Sequence, residues 1–395
     1  MLNKIKNCYK SNRLLYKFYN STEDIPSSQW DIVNSKNNLF LTLNYLRTLE
    51  KSLAKTIQFR YIIFYDDKVP VGIAATQYIS FNTNELKLHE FPCSISGTIT
   101  NTLFKNTDIK VLVCGNLFSC GEHGFSYTDR LTATDAFENL SNALRELSKI
   151  ETTDKPSFIL LKEFWPASFN NSDSIKKQDF RDFKIDVNMV LPIRPEWNDF
   201  NMYLGSMKTK FRTRAKKVFK NSSEIIVKSF NPDDILFYAK KINSLYLSVI
   251  EKADFKVEKL NASIFQNLKK NLGDSFIFKG YFLEDRLVGF KTAFILKDAL
   301  EANHIGIDYE YNKTHDIYQK MLYNYVALAI SKKVPELRLG RTAEIIKSSI
   351  GAEPVEMKLY VRHCNSISNA LLKPLVDLIS PSDYEIRHPF KLQVQ

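Results

Sequence analysis

Glycine is scarce in this chain of 395 residues, with twelve in all, and proline is nearly as scarce with thirteen. That shortage excludes collagen-like repeats, flexible linkers and proline-rich disordered tracts. Cysteine is sparse too: Cys8, Cys93, Cys114, Cys120 and Cys364 form no CxxC pair. Neither a disulfide framework nor a zinc knuckle follows from that spacing, and no metal is expected. Reduced thiols fit a cytoplasmic setting. Long hydrophobic runs are lacking, since no stretch approaches the ~18 uncharged apolar residues of a spanning helix. The opening residues carry Lys4, Lys6, Arg13 and Lys17 with no apolar segment behind them, so they do not read as a secretory signal.

What is abundant is aromatic and aliphatic. Apolar residues make up 44% of the chain and aromatics 13%, with 28 Phe and 19 Tyr, which argues against disorder. At roughly 100–200 residues per domain the length suggests about two to three domains. The net charge is +11, and it is concentrated. The segment 207–220, MKTKFRTRAKKVFK, holds Lys208, Lys210, Arg212, Arg214, Lys216, Lys217 and Lys220 without one acid. An argument about an anionic partner is therefore local to that segment.

Periodicity gives the organisation. A helix is predicted from Trp30, and a second over 41–55, where Leu43, Leu46, Leu49 and Leu53 share a face. A strand over 59–65, a turn at Asp66-Asp67-Lys68 and a returning strand over 69–78 follow. A strand at 109–113, a helix over 135–149 and a strand at 157–162 complete the first half. The second half repeats this order. Helices are predicted over 231–249 and 260–272, the second closed by Gly273. A strand pair over 276–282 and 287–296 follows, then a strand at 301–308, a helix over 315–333 and a strand at 336–339. The hairpins match in letters as well. Asp67-Lys68-Val69-Pro70-Val71-Gly72 lies against Asp285-Arg286-Leu287-Val288-Gly289, about 217 residues apart. The expected domains are 1–195 and 196–395, the second opened by a basic helix over 208–220. The fold class is α/β (α+β), each domain a mixed, largely antiparallel sheet flanked by helices.

An α-α-β-β-β-α-β unit with this hairpin resembles the GNAT acyltransferase fold, and two in tandem resemble the Fem-type, peptidoglycan-biosynthesis-like group. The stretches that carry the resemblance lie in the second half and cover about two-thirds of it. They are Tyr203-Leu204 with the basic helix, Leu287-Val288-Gly289-Phe290, and Ala302-Asn303-His304-Ile305-Gly306-Ile307-Asp308 with Tyr311. The last is Leu337-Arg338-Leu339-Gly340-Arg341-Thr342 with Ile346-Lys347 and Gly351-Ala352-Glu353-Pro354. The resemblance implies an activated donor: acyl-CoA, an acyl carrier protein, or the aminoacyl-tRNA of Fem-type enzymes. It also implies that Lys347 contacts the reacting carbonyl or a phosphate. The sequence departs from the GNAT pattern at the phosphate loop. No Gly occurs in 309–316, and the glycines of 114–129 are wrongly spaced, with Glu122 among them.

Acyl transfer to an amine needs a base, oxyanion donors and a held pair of substrates. Period two puts His304, Gly306 and Asp308 on one strand face and Glu301, Asn303, Ile305 and Ile307 on the other. His304 is a candidate base. Asp308 lies about 13 Å further along the strand, so the two form no dyad, and Asp308 can equally cap the next turn. Arg341, at a strand end, suits a carboxylate or phosphate and equally a salt bridge. Glu122 and His123 belong to a Gly-rich stretch after a strand, a candidate acceptor loop or simply a structured turn. Tyr311 is a further candidate substrate contact. The cations of 208–220 are candidate contacts for tRNA, a carrier protein or an anionic membrane, against the plain alternative of a solvated face. The expected activity is N-acyl transfer from a carrier to an amine, of a cell-wall or lipid precursor for example, in the cytoplasm or at the inner membrane surface. The rival is a non-catalytic module of the same fold that binds nucleic acid or membrane.

Overall fold

The computed structural model describes residues 9–11, 14–82, 108–150, 155–252, 260–377 and 384–391. The N-terminal Lys4 and Lys6, and Cys8 and Cys93, lie outside the described residues. The chain divides into two compact units.

Among the described residues the first unit has nine strands: β1 (Tyr9–Ser11), β2 (Leu14–Tyr19), β3 (Gln58–Asp66), β4 (Val69–Asn82), β5 (Asp108–Cys114), β6 (Phe125–Tyr127), β7 (Phe158–Phe164), β8 (Arg181–Lys184) and β16 (Lys358–His363). Their order is β1-β2-β3-β4-β5-β7-β16-β8, with β6 paired to β4. Helices α1 (Ser27–Val33), α2 (Leu43–Leu53) and α3 (Ala133–Ile150) flank the sheet. The leucine face expected on α2 is buried: Leu43, Leu46, Leu49 and Leu53 all face the core. On α3, Phe137, Leu140, Leu144 and Leu147 pack against β2, β5 and β7 residues in one apolar cluster.

The second unit has β9 (Asn188–Pro192), β10 (Ile225–Ser229), β11 (Phe276–Leu283), β12 (Arg286–Ile295), β13 (Ala299–Ile307), β14 (Glu336–Arg338) and β15 (Glu353–Val355). Their order is β10-β11-β12-β13-β14-β9-β15. Its helices are α4 (Phe200–Ser206), α5 (Thr209–Asn221), α6 (Pro232–Phe237), α7 (Ala239–Ile250), α8 (Ala262–Leu272), α9 (Tyr309–His315), α10 (Ile317–Ser331) and α11 (Glu344–Ser349). The single helix expected over 231–249 is two, broken at Tyr238. Asn231 caps the first with a reciprocal capping box to Asp234. Both units are mixed sheets flanked by helices, as expected.

The boundary is not a single crossover at 195/196. The second unit begins at Asp186, and the chain returns to the first unit at Glu356. There β16 inserts antiparallel between β7 and β8. A local sequence pattern cannot show this, because β16 has the same alternation whichever sheet receives it. The last described residues belong to the second unit again. Phe390 packs on Trp197 and Tyr203, and Pro389 accepts the backbone N–H of Lys208.

Candidate active site

A seam opens in the second unit where two parallel strands part. β13 and β14 pair through three rungs only, Ala299↔Glu336, Leu300↔Leu337 and Glu301↔Arg338. β14 then ends, and the following residues bond to β9 instead: Leu339 N–H to the Met189 carbonyl and Met189 N–H to the Gly340 carbonyl. β13 runs on to Ile307. From Ala302 its only strand neighbour among the described residues is β12. Residues 302–305 are half-buried, whereas 299–301 are buried. A strand edge of this kind offers backbone N–H and C=O groups to an extended ligand or a developing oxyanion.

A β-bulge sets which side chains face the seam. Lys291 opposes Ile305 and Ala293 opposes Ala302, so two steps on β12 meet three on β13. Thr292 fills the gap: its Oγ1 accepts the His304 N–H at 2.8 Å and donates to the His304 carbonyl at 3.1 Å. The extra residue corrects the expected alternation. Glu301 joins His304 and Gly306 on the face that carries Phe290, Thr292 and Phe294. Glu301 is 2% exposed and lies on the last paired rung, opposite Arg338. Arg338 bonds Glu336 through Nε at 2.6 Å. Plain period-two counting misses Glu301, and only the paired strand reveals the bulge.

His304 is not an open cleft group. Its ring lies against Tyr246 of α7 and Phe265 of α8, with centroids 5.6 and 5.7 Å away. Burial drives its pKa down to about 4, so the imidazole is neutral near pH 7. Asp308 caps α9 by accepting the Glu310 N–H at 3.3 Å, and it pairs with Lys241 at 3.3 Å. Tyr311 accepts a hydrogen bond from Arg286 at 2.9 Å on an exposed surface. The structure therefore brings neither Asp308 nor Tyr311 to the ring of His304.

At the β14 side, the turn after the strand has left-handed backbone at Gly340, Thr342 and Ala343, with φ of 70°, 61° and 56°. Lys347 on α11 is buried, and its Nζ donates to the carbonyls of Gly340, at 3.2 Å, and Arg341. Its donors thus tie down its own turn. Arg341 occupies the middle of that turn, with Nε and Nη2 withdrawn from solvent.

The place of a phosphate loop is occupied by α9 and by Asp316, which stands with φ 46° at the start of α10 and accepts the Asn221 amide at 2.8 Å. A carboxylate at that helix end opposes a phosphate. These residues do not form the usual cradle for a CoA pyrophosphate.

Among the described residues the first unit has no comparable opening. β5 and β7 pair in parallel through four rungs, from Val111↔Phe158 to Cys114↔Leu161, and β5 ends with its last rung. The space beyond is filled by residues 115–124. Glu163 is fully buried and accepts both the Gly121 N–H and Lys162 Nζ at 2.9 Å. Lys162 also donates to the Ser119 carbonyl at 2.7 Å. Glu122, a candidate acceptor contact, accepts from the Trp165 N–H at 2.7 Å and the Ser168 hydroxyl at 2.9 Å. His123 bonds the Cys120 carbonyl at 2.8 Å and packs against the Phe40 ring, 4.1 Å between centroids. The loop doubles back so closely that a Cβ on Gly124 would lie 2.4 Å from the Gly115 nitrogen. This polar cluster is a self-bonded plug. Among the described residues no three His, Cys, Asp or Glu side chains converge as a metal site.

The basic segment is helical as expected. α5 buries Ala215 and Val218 and turns Lys210, Arg214, Lys216, Lys217 and Lys220 outward, with Lys208 exposed just before it. Arg212 is half-buried, its guanidinium near the Met207 carbonyl.

No protein-family model matches the chain, and no curated protein sequence matches it. Solved structures do. The chain is similar to FemX, with a TM-score of 0.53 and 12% identity over 87% of this chain and 98% of that one. It is similar to a tandem GNAT protein from the clavulanic acid biosynthesis pathway, with a TM-score of 0.52 and 9% identity over 89% and 99%. At such identity the likeness is one of fold. The chain has a tandem GNAT fold.

Proposed function

We propose that this protein is an N-acyltransferase whose chemistry occurs in the second unit, at the seam between β13 and β14. The observation that carries this reading is the contrast between the units: one seam where β13 runs on past its last rung with β14, the other filled by residues 115–124. An acyl or aminoacyl group carried as a thioester or ester lies along β13. The amine nitrogen attacks its carbonyl carbon, and backbone N–H groups of β13 beyond its last rung with β14 hold the oxyanion. Glu301 takes the proton from the attacking nitrogen, and the carrier's sulfur or oxygen leaves with the electron pair. His304, neutral and packed, shapes the wall. Lys347 and Arg341 set the turn on the opposite side. The carboxylate of Asp316 favours a donor other than free acyl-CoA in its usual pose, such as an acyl carrier protein or an aminoacyl-tRNA. The acceptor is an amine, with cell-wall and lipid precursors the first to try.

The test follows donor binding by melting temperature and then maps it. A donor at ~100 times its Kd adds about 2.7 kcal/mol of apparent stability. Acyl-CoAs, acyl carrier proteins and aminoacyl-tRNA are compared, and amide hydrogen exchange is read with the donor that shifts the melt. New protection over 299–307 and 336–343 is expected. Protection over 108–124 instead, or no shift with any donor, overturns the reading and returns it to a non-catalytic binding module.

A further inference from the structure

One buried cation of the first unit is left without a counter-charge. Arg362 lies on β16 opposite Ile159, the second residue of β7. The plug of residues 115–124 closes on Glu163, near the other end of that strand. Arg362 is 5% exposed. Its Nε is withdrawn from solvent with no hydrogen-bond partner, and its Nη1 donates at 3.3 Å to the carbonyl of the next residue, His363. Among the described residues no carboxylate pairs with it. A guanidinium buried with its donors so poorly met costs stability unless a ligand supplies the acceptors.

The groups around Arg362 add charge of the same sign. The pairing of β16 with β7 runs on, with the Cys364 N–H on the Ser157 carbonyl at 2.8 Å, so Cys364 shares the Arg362 face. Ser148 of α3 lies against the Cys364 thiol and donates at 2.8 Å to the carbonyl of Arg145, one turn before it. Arg145 is half-buried and likewise has no carboxylate partner among the described residues. Burial and the charge of Arg145 push the Arg362 pKa down. Asp179 and Cys364 act the other way. Asp179 is exposed, however, and it is its backbone carbonyl that is held here, by the Asn369 amide at 2.9 Å.

We propose that Arg362 and Arg145 form an anion site for a phosphate dianion, free or as the end group of a small phosphomonoester. The pair of cations sets the choice. A carboxylate would balance only one of them. A phosphate carries about −1.5 to −2 near pH 7 and has enough acceptor oxygens to meet both guanidiniums, the idle Nε included. The planar fork of arginine also fits phosphate through paired hydrogen bonds. Every residue named belongs to the first unit, so the site is independent of the acyl-transfer reading.

The test is the melting temperature of the full chain in chloride, with inorganic phosphate, glycerol 3-phosphate or acetate added at constant ionic strength. Phosphate should raise the melt with the logarithm of its concentration above Kd. A larger rise with glycerol 3-phosphate assigns the site to an ester, and an equal or smaller one to free phosphate. Arg145→Gln should weaken phosphate binding roughly 10-fold or more. It should melt no lower than the parent in chloride, because it removes a like charge. Arg362→Gln should abolish the response, and if that variant does not fold, Arg145→Gln decides alone. No rise with phosphate overturns the proposal, as does a rise that Arg145→Gln keeps in full. An equal rise with acetate marks a carboxylate site and overturns the choice of phosphate. Loss of the rise in Lys216→Gln/Lys217→Gln instead moves the anion to α5 and also overturns it.

Discussion

Replacing Lys347 with Met separates a lysine that builds the seam from one that touches substrate. Lys347 is 5% exposed, and its ammonium donates to the carbonyls of Gly340 and Arg341. Hydrogen bonds from a charged donor contribute about 1.5–3 kcal/mol each, and the cost of burying the charge offsets part of that. The turn it secures holds Thr342 and Ala343 in left-handed backbone, at ~1–2 kcal/mol apiece, a strain that favours opening of the turn once the lysine is lost. A net loss of about 3 kcal/mol follows, or roughly 6–12 °C in the transition of a unit of this size. Differential scanning calorimetry reads that transition directly. Adding Ala343→Gly to the variant should restore ~1 kcal/mol, because glycine adopts positive φ without strain. A melt unchanged by Lys347→Met, with donor binding abolished, would refute this reasoning and place the ammonium on the substrate.

Three further outcomes are expected. The folded pKa of His304 lies near 4 against an ordinary 6.5, so between those values the unfolded chain binds the extra proton and stability falls as pH falls. The loss approaches roughly 3 kcal/mol by pH 4, and His304→Phe should flatten that slope in urea titrations run across the range. Glu163→Ala strands Lys162 in the plug of the first unit and should cost about 3–5 kcal/mol, with Glu163→Gln milder, as read by chemical denaturation. Gly351 has φ 101°, and a Cβ there would lie 2.2 Å from the Phe390 ring, so Gly351→Val should lower the melting temperature sharply while Gly351→Val/Phe390→Ala regains part of the loss.

The duplicated layout, the matching hairpins and the basic helix were readable because each rests on local periodicity. The candidate site was readable only in part. Strand 301–308 was located, but its alternation was inverted upstream of the bulge, which depends on Thr292 from the neighbouring strand. Glu301 was therefore placed on the wrong face. Lys347 is a candidate through the resemblance and Asp308 through its strand face, and their partners are backbone carbonyls, a helix end and Lys241. Glu122 and His123 sit where a ligand loop belongs, yet their hydrogen bonds close inward on Trp165, Ser168 and Cys120. Residue type and spacing do not reveal whether a polar side chain spends its hydrogen bonds on its own chain.

The late arrival of β16 has a consequence for how this chain is made. β7 and β8 have no direct pairing to each other, and the strand that joins them is synthesised after nearly the whole second unit. Until then the nascent first half carries two open strand edges, which are templates for pairing with other chains. A ribosome that stalls within the second unit would release a product more prone to aggregate than either half of an ordinary tandem protein. Cutting the gene at residue 195 would produce that same species. Moving the β16 segment to follow residue 185 through a short linker would instead close the sheet early, and refolding yield would report the difference.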